Sequence, residues 1–208
     1  GPSTAVGRVT APHALGALEP LIARLAASGV AVHRVPREQC AHLQVGDARV
    51  ELSDGRTATR RAADEGDRDL VLLDLALDFA SARRVGAARA DQCSELAWRQ
   101  AVGTLQAAGL VVSRLDDVAG MAVLRVVCML ANEAADVATQ HIATAADIDT
   151  AMKLGTSYPL GPLEWADRLG AAFVARVLDH LRDHTGEARY RVSPALQRRR
   201  WSGAKFHA

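Results

Sequence analysis

The sequence predicts an α/β layer joined to an all-α bundle, and three observations predict it. Strand-like runs alternate with helical-period segments up to residue 117. From residue 118 onward the ordered stretches read as helices, separated by short turns carrying Gly and Pro. Aromatic residues make up 4% of the chain against 49% hydrophobic residues, so the cores are built from Leu, Val, Ile and Ala, a composition suited to closely packed helices.

Each element follows from local pattern. Residues 5–10 form a short strand candidate, and 15–27 place Leu15, Leu18, Ile22 and Leu25 at helical spacing before Gly29 stops the helix. Residues 30–35 alternate as a strand should, and 45–52 form a further strand ended by Ser53-Asp54-Gly55. The apolar run 69–75 suits a strand buried on both faces. A helix over 91–108 ends at Gly109, and 110–115 forms another strand. This rhythm predicts a small, mostly parallel sheet.

The second half begins with a long apolar segment, 121–140, predicted to be the central buried helix. Asn132 and Glu133 lie within it. A buried polar group without a partner costs roughly 1–3 kcal/mol, so both are expected to bond to neighbouring helix termini or across an interface. Thr144 and Asp147 have the side chains of a capping box, opening a helix that runs through Met152 and stops at Gly155. Gly161-Pro162 opens the next helix and Gly170 closes it; Ser193-Pro194 opens a last short one that ends near Gly203. Pro159 and Pro162 stiffen the corner between two of these helices, and Trp165 is large enough to fill a gap between them.

The bulk numbers exclude several classes. At 208 residues the chain can bury one good core or two small ones, and its net charge of +1 gives no long-range field for nucleic acid or anionic lipid. No apolar run reaches membrane-spanning length and no signal peptide opens the chain. Cys40, Cys93 and Cys128 are scattered and odd in number, as expected of reduced thiols in a cytoplasmic protein. Gly1-Pro2-Ser3 reads as the expression scar a protease leaves behind a purification tag, so the chain is read as a fragment. The domains are then 1–3 as scar, 4–117 as the α/β domain and 118–208 as the helical domain.

A family becomes visible between Gly120 and Gly170. The segment holds Leu130-Ala131-Asn132-Glu133-Ala134, then Ala146-Asp147-Ile148-Asp149-Thr150-Ala151-Met152-Lys153-Leu154-Gly155, then Tyr158-Pro159-Leu160-Gly161-Pro162-Leu163-Glu164-Trp165, with Asp167 and Gly170 after it. In this order the pieces resemble the helical C-terminal domain of the 3-hydroxyacyl-CoA dehydrogenases. The resemblance implies a bundle of the 6-phosphogluconate-dehydrogenase C-terminal type preceded by a Rossmann-like domain. It also implies an enzyme that oxidises 3-hydroxyacyl-CoA to 3-oxoacyl-CoA with NAD, through a His–Glu pair.

The first half departs from that pattern. Counting back from Asp117 without gaps, the family's catalytic histidine falls on Asp74, its glutamate partner on Gly86, and an asparagine that polarises the substrate on Leu124, with the neighbouring Arg125 retained. After the first strand stands Thr10-Ala11-Pro12-His13-Ala14-Leu15-Gly16, without the close glycines that let a backbone approach a pyrophosphate. The expectation is a shortened, degenerate Rossmann-like domain with no catalytic, cofactor-binding or metal residue of its own. Longer members of the family follow a complete catalytic unit with such a domain and a second helical domain. The stretches Asp54-Gly55-Arg56-Thr57-Ala58, Asn132-Glu133-Ala134 and Arg189-Tyr190-Arg191-Val192-Ser193-Pro194 resemble that second copy. Those enzymes act on 3-hydroxybutyryl-CoA or 3-hydroxyadipyl-CoA, the latter in phenylacetate breakdown.

By this reading the chain supports an active site in N-terminal catalytic domains of the same protein, shapes the acyl-CoA cleft and forms a homodimer. Met152, Tyr158, Pro159, Leu163 and Trp165 are the expected interface, for their apolar area beside a rigid turn. Arg125, Asn132, Glu133, Asp147 and Asp167 are expected to be structural polar residues. The rival reading is a non-catalytic CoA-ester-binding or interaction module in which Arg198-Arg199-Arg200 and Lys205 grip phosphates. The helical pair His180 and His184 has metal-ligand spacing, but a solvated face is the commoner reason for it. Asp74 and Asp78 form a weaker carboxylate pair with no base or nucleophile beside them.

Overall fold

The computed structural model describes residues 4–207, so the scar read at Gly1-Pro2-Ser3 lies outside the described residues. Two compact units emerge: the chain up to Met121 without Asp54–Arg56, and Asp54–Arg56 together with the chain from Ala122 onward.

The first unit runs β1 (Arg8–Pro12), a 3-10 turn (Gly16–Leu18), α1 (Glu19–Ala27), β2 (Ala31–Val35), β3 (Leu43–Val45), β4 (Ala48–Leu52), α2 (Ala58–Glu65), β5 (Leu70–Leu73), β6 (Arg84–Arg89), α3 (Glu95–Ala107) and β7 (Val111–Arg114). The strands form one sheet in the order β2-β1-β3-β4-β5-β6-β7. Three strand–helix–strand units, through α1, α2 and α3, give the parallel pairs β1/β2, β4/β5 and β6/β7. The remaining neighbours, β1/β3, β3/β4 and β5/β6, are antiparallel. The expected mostly parallel sheet is therefore corrected to a mixed one. A turn at Gly46-Asp47 folds the predicted single strand 45–52 into the β3–β4 hairpin, and β5 returns to β6 without a crossover helix.

Two elements carry no apolar pattern. Helix α2 buries only Ala58, Arg61 and Ala62; it is held by the ion pairs Arg60–Asp64, exposed, and Arg61–Glu65, from the buried side, both at i,i+4. Strand β6 buries Val85, Ala87 and Ala88 around a glycine, too little apolar mass to read as a strand. The core between sheet and helices is aliphatic, with Leu21, Ile22, Leu25, Leu43, Leu70, Leu72, Leu73 and Leu105 fully buried.

The second unit is helical: α4 (Val123–Thr139), α5 (Ala145–Thr156), α6 (Pro162–Leu169), α7 (Ala171–Thr185), a 3-10 turn (Ala188–Tyr190) and α8 (Pro194–Ser202). Helix α4 is central and packs against α6, α7 and α8. It buries Leu124, Val127, Cys128, Ala131, Ala134 and Ala135 on one side. Helix α5 continues past the expected stop at Gly155, because Ser157 takes the left-handed cap conformation at φ 57°. The segment Asp54–Arg56 belongs here: the Asp54 carbonyl bonds His180 Nδ1 at 2.8 Å, and Arg56 pairs with the Asp54 carboxylate at 2.7 Å. Among the described residues no helix is long and apolar enough to cross a membrane.

Candidate functional site

In the first unit, the two positions on which an ungapped count places the family's His–Glu pair lie side by side. The Asp74 N–H, one residue past β5, donates to the Gly86 carbonyl in β6 at 2.9 Å. A Cβ built on Gly86 falls 3.2 Å from the Asp74 Cβ and 2.7 Å from Leu115 Cδ1. A side chain at 86 would have to push aside the end of the Leu115 side chain. Asp74 is buried, and its Oδ1 accepts the Leu75 N–H at 2.8 Å. Asp78 is exposed and closes its own turn through Ala80 N–H and Ser81 Oγ.

The start of α2 lies at the carboxyl end of β4, where open α/β sheets place ligand phosphates against a helix N-terminus. Asp117 occupies it. Its two carboxylate oxygens accept the Ala58 and Thr59 N–H groups at 2.6 and 2.8 Å, and the Thr57 hydroxyl takes the Arg60 N–H at 3.1 Å. The first three donors of the helix are thus satisfied internally.

The second unit concentrates its charged groups at the α5–α6 corner. Gly161, the N-cap of α6, has no side chain with which to cap. The Asp149 carboxylate of α5 does so instead, accepting the Leu163 and Glu164 N–H groups at 2.9 Å each, while Glu164 reaches back to the Gly161 N–H at 2.8 Å. Lys153 donates to Glu164 Oε1 at 2.6 Å. This bond, then the Gly161 bond against partial burial, holds the Glu164 carboxyl below its ordinary range. Asp167 binds the segment after α8, accepting Phe206 N–H at 2.7 Å, His207 N–H at 2.9 Å and His207 Nδ1 at 2.9 Å; His207 Nε2 stands 3.2 Å from Asp149 Oδ2.

The residues expected to be structural divide in two. Asn132 is buried with both ends of its amide used: Nδ2 donates to the Arg191 carbonyl at 2.9 Å, and Oδ1 accepts the N–H of Ser193, the N-cap of α8, at 2.8 Å. Thr144 caps Asp147 N–H at 3.2 Å, and its hydroxyl donates to the Asp147 carboxylate at 2.6 Å. Glu133 and Arg125 are exposed; the interior position expected for Glu133 is corrected, since one residue along α4 turns the side chain out to solvent. Two of the five expected interface residues are corrected as well. Leu163 and Trp165 are buried within the second unit, 0% and 8% exposed, because α6 turns them toward its core, whereas Met152 is half-buried and Tyr158 and Pro159 are exposed.

The basic run is largely spent inside the unit. Arg200 pairs with Asp179 at 2.7 Å, and Arg199 lies 3.8 Å from the Phe206 ring centroid and bonds the Ala195 and Lys205 carbonyls. Among the described residues, Arg198 and Lys205 of the expected phosphate grip face solvent without such a bond. Among the described residues no three His, Cys, Asp or Glu side chains are placed to hold a metal ion. Sequence reasoning did not give Asp149, Glu164 and His207 roles. A signal for Asp149 exists: a Gly-Pro helix start with Glu at the third position lacks its own capping oxygen, so a neighbouring carboxylate must supply it.

Comparison with known proteins matches part of the first half and most of the second. Residues 50–118 match the 3-hydroxybutyryl-CoA dehydrogenase reduced Rossmann-fold domain, and residues 120–204 match the 3-hydroxyacyl-CoA dehydrogenase C-terminal domain. The chain belongs to the 3-hydroxyacyl-CoA dehydrogenase family. It is 44% identical over 103 residues to a 3-hydroxyadipyl-CoA dehydrogenase of Escherichia coli K12, covering 50% of this chain and 22% of that protein. A 3-hydroxybutyryl-CoA dehydrogenase of Clostridioides difficile is 34% identical over 77 residues, 37% of this chain and 27% of that one. The crystal structure of a 3-hydroxybutyryl-CoA dehydrogenase from E. coli K12 superposes with a TM-score of 0.71 at 35% identity, over 76% of this chain and 33% of that chain. The chain therefore spans a third or less of each of these family members.

Proposed function

We propose that this chain is a non-catalytic part of an NAD-dependent 3-hydroxyacyl-CoA dehydrogenase, supporting an active site carried by N-terminal domains of the same protein. The observation that carries this reading is the Asp74–Gly86 pair. The positions that the ungapped count gives to the dyad stand side by side, yet one is a carboxylate and the other is a glycine with no side chain to offer. A carboxylate at 74 lacks the imidazole that takes the hydroxyl proton as hydride leaves C3. The residues present do not fit NAD either: the donors at the start of α2 are held by Asp117, so a pyrophosphate would have to displace an internal carboxylate. We place no cofactor on this chain.

The substrates we assign to the whole protein are 3-hydroxyadipyl-CoA and 3-hydroxybutyryl-CoA, from the names of the relatives; phenylacetate breakdown is the process that the family resemblance implies. Cytoplasmic residence fits three thiols outside any disulfide. Homodimerisation is assigned to the helical unit, where Leu154, Tyr158 and Ile142 leave apolar area exposed. The decisive experiment mixes the isolated chain with NAD and either 3-hydroxyacyl-CoA and follows NADH absorbance. No turnover is expected; a steady rate comparable with that of the full-length enzyme would overturn the reading. Light scattering tests the dimer, and a strict monomer at high concentration refutes it.

A further inference from the structure

A groove of about 490 Å³ in the second unit is lined by Leu160, Glu164, Asp167, Arg168, Lys205 and His207. Its two carboxylates are already satisfied: Glu164 by Lys153 and the Gly161 N–H, Asp167 by three donors of Phe206 and His207. Its two permanent cations are not, for among the described residues no carboxylate stands within ion-pair distance of Arg168 or Lys205.

Both cations are mounted on fixed supports. The Arg168 guanidinium carbon lies 6.0 Å from the Trp165 ring centroid, and this cation–π contact restrains the planar fork. Trp165 is itself buried, so the platform is part of the core. The Lys205 carbonyl accepts Arg199 Nε at 3.2 Å, and the next two N–H groups are held by Asp167. The Phe206 ring is covered by Arg199. The backbone that carries Lys205 is therefore pinned on both sides.

We propose that this groove binds a phosphate group, with the Arg168 fork on two oxygens and Lys205 as a point charge on a third. A tetrahedral dianion matches two unpaired cations lining one groove better than a planar monoanion does. Of the acids that line the groove, Glu164 is paired with Lys153 and Asp167 is hydrogen-bonded by the Phe206–His207 donors. The inference is independent of the dehydrogenase reading, since free inorganic phosphate and the phosphate of a nucleotide such as coenzyme A present the same group.

The test is calorimetric titration of the intact chain with inorganic phosphate. Saturable binding with one site is expected, with a dissociation constant on the order of 1 mM, the range of a single exposed anion site. Arg168→Gln and Lys205→Gln should each weaken it roughly tenfold, Arg168→Lys by less, and Arg198→Gln not at all. These are exposed positions, and an unchanged thermal unfolding curve verifies that the variants fold. Coenzyme A and its 3′-dephospho form then distinguish the sources. A preference for coenzyme A that Arg168→Gln abolishes supports the site and names the nucleotide, whereas phosphate binding without that preference supports free phosphate. Absence of saturable phosphate binding, or equal weakening in Arg198→Gln, overturns the proposal.

Discussion

The carboxylate of Asp149 occupies the space that a side chain on Gly161 would need. A Cβ built at 161 falls 2.1 Å from the Asp149 Cγ, and that carboxylate, only 1% exposed, caps the helix that Gly161 begins. The glycine and the aspartate are one device: α6 receives its N-cap from α5, which fixes the corner between them. Gly161→Ala should cost about 2–3 kcal/mol, because it forces the cap away while overfilling the space. Asp149→Ala should cost a similar amount by leaving two helix donors without an acceptor. Gly161 has φ −71° and ψ 156°, ordinary N-cap geometry, so serine can cap from that position once Asp149 is removed. Chemical denaturation of Asp149→Ala/Gly161→Ser should then show coupling of about 1–2 kcal/mol relative to the single variants. Strict additivity would refute the account.

Asp117 does at α2 what Asp149 does at α6, from 59 and 58 residues along the chain. Asp117→Ala should destabilise the first unit by about 1–2 kcal/mol, the usual cost of a lost cap. It leaves a small anion-shaped space beside two backbone donors. Formate at roughly 100 mM should therefore raise the stability of Asp117→Ala above that of the same variant in chloride, by mass action on the folded state. The unsubstituted protein should not respond, because its own carboxylate fills the place. Equal responses of the two proteins in thermal melts would sink the idea.

The thiols give a pH prediction with a definite sign. Burial, with the Asp69 charge adding to it, pushes the Cys93 thiol up to about 11; burial alone pushes Cys128 upward as well. Each is held neutral in the fold while an unfolded thiol ionises near pH ~8.5, so the unfolded state loses protons first. Stability should fall as pH rises from about 9 toward 11. At pH 8 an aromatic disulfide reagent should modify half-buried Cys40 alone, and all three thiols only in denaturant. Rapid labelling of Cys93 in the native protein would contradict this.

What the sequence revealed follows from where apolar mass lies. Leu70–Leu73 reads as a strand because every residue is buried, and Asn132 reads as a structural amide because its helix is otherwise apolar. Helix α2 escaped because Arg60, Arg61, Asp64 and Glu65 hold it by charge pairing, a signal with no hydrophobic period. Strand β6 escaped because Gly86 and two alanines give it close approach in place of bulk. The α5–α6 corner was legible as a motif, but its inward residues were not. Leu163 and Trp165 looked like contact surface until the turn of α6 directed them into the core.

Arg24 offers the sharpest test of how the first unit is locked. Among the described residues its guanidinium binds no carboxylate; it donates to four backbone carbonyls, Ala108 at 2.7 Å, Ala82 at 2.5 Å, Gly109 at 3.0 Å and Ala80 at 3.4 Å. Two of these carbonyls end α3 and two belong to the loop before β6, so one side chain on α1 holds both. Only a rigid fork with five donors can serve four acceptors in different directions. Arg24→Met keeps most of the packing and should cost about 2–3 kcal/mol, the range for charge-assisted bonds to partly buried groups. Arg24→Lys retains the charge but reaches fewer carbonyls, so it should recover less than half of that loss. Amide hydrogen exchange should rise at Gly109 to Val111 and at residues 80–84, with little change in the sheet centre. Full rescue by lysine would show that charge rather than the fork provides the lock.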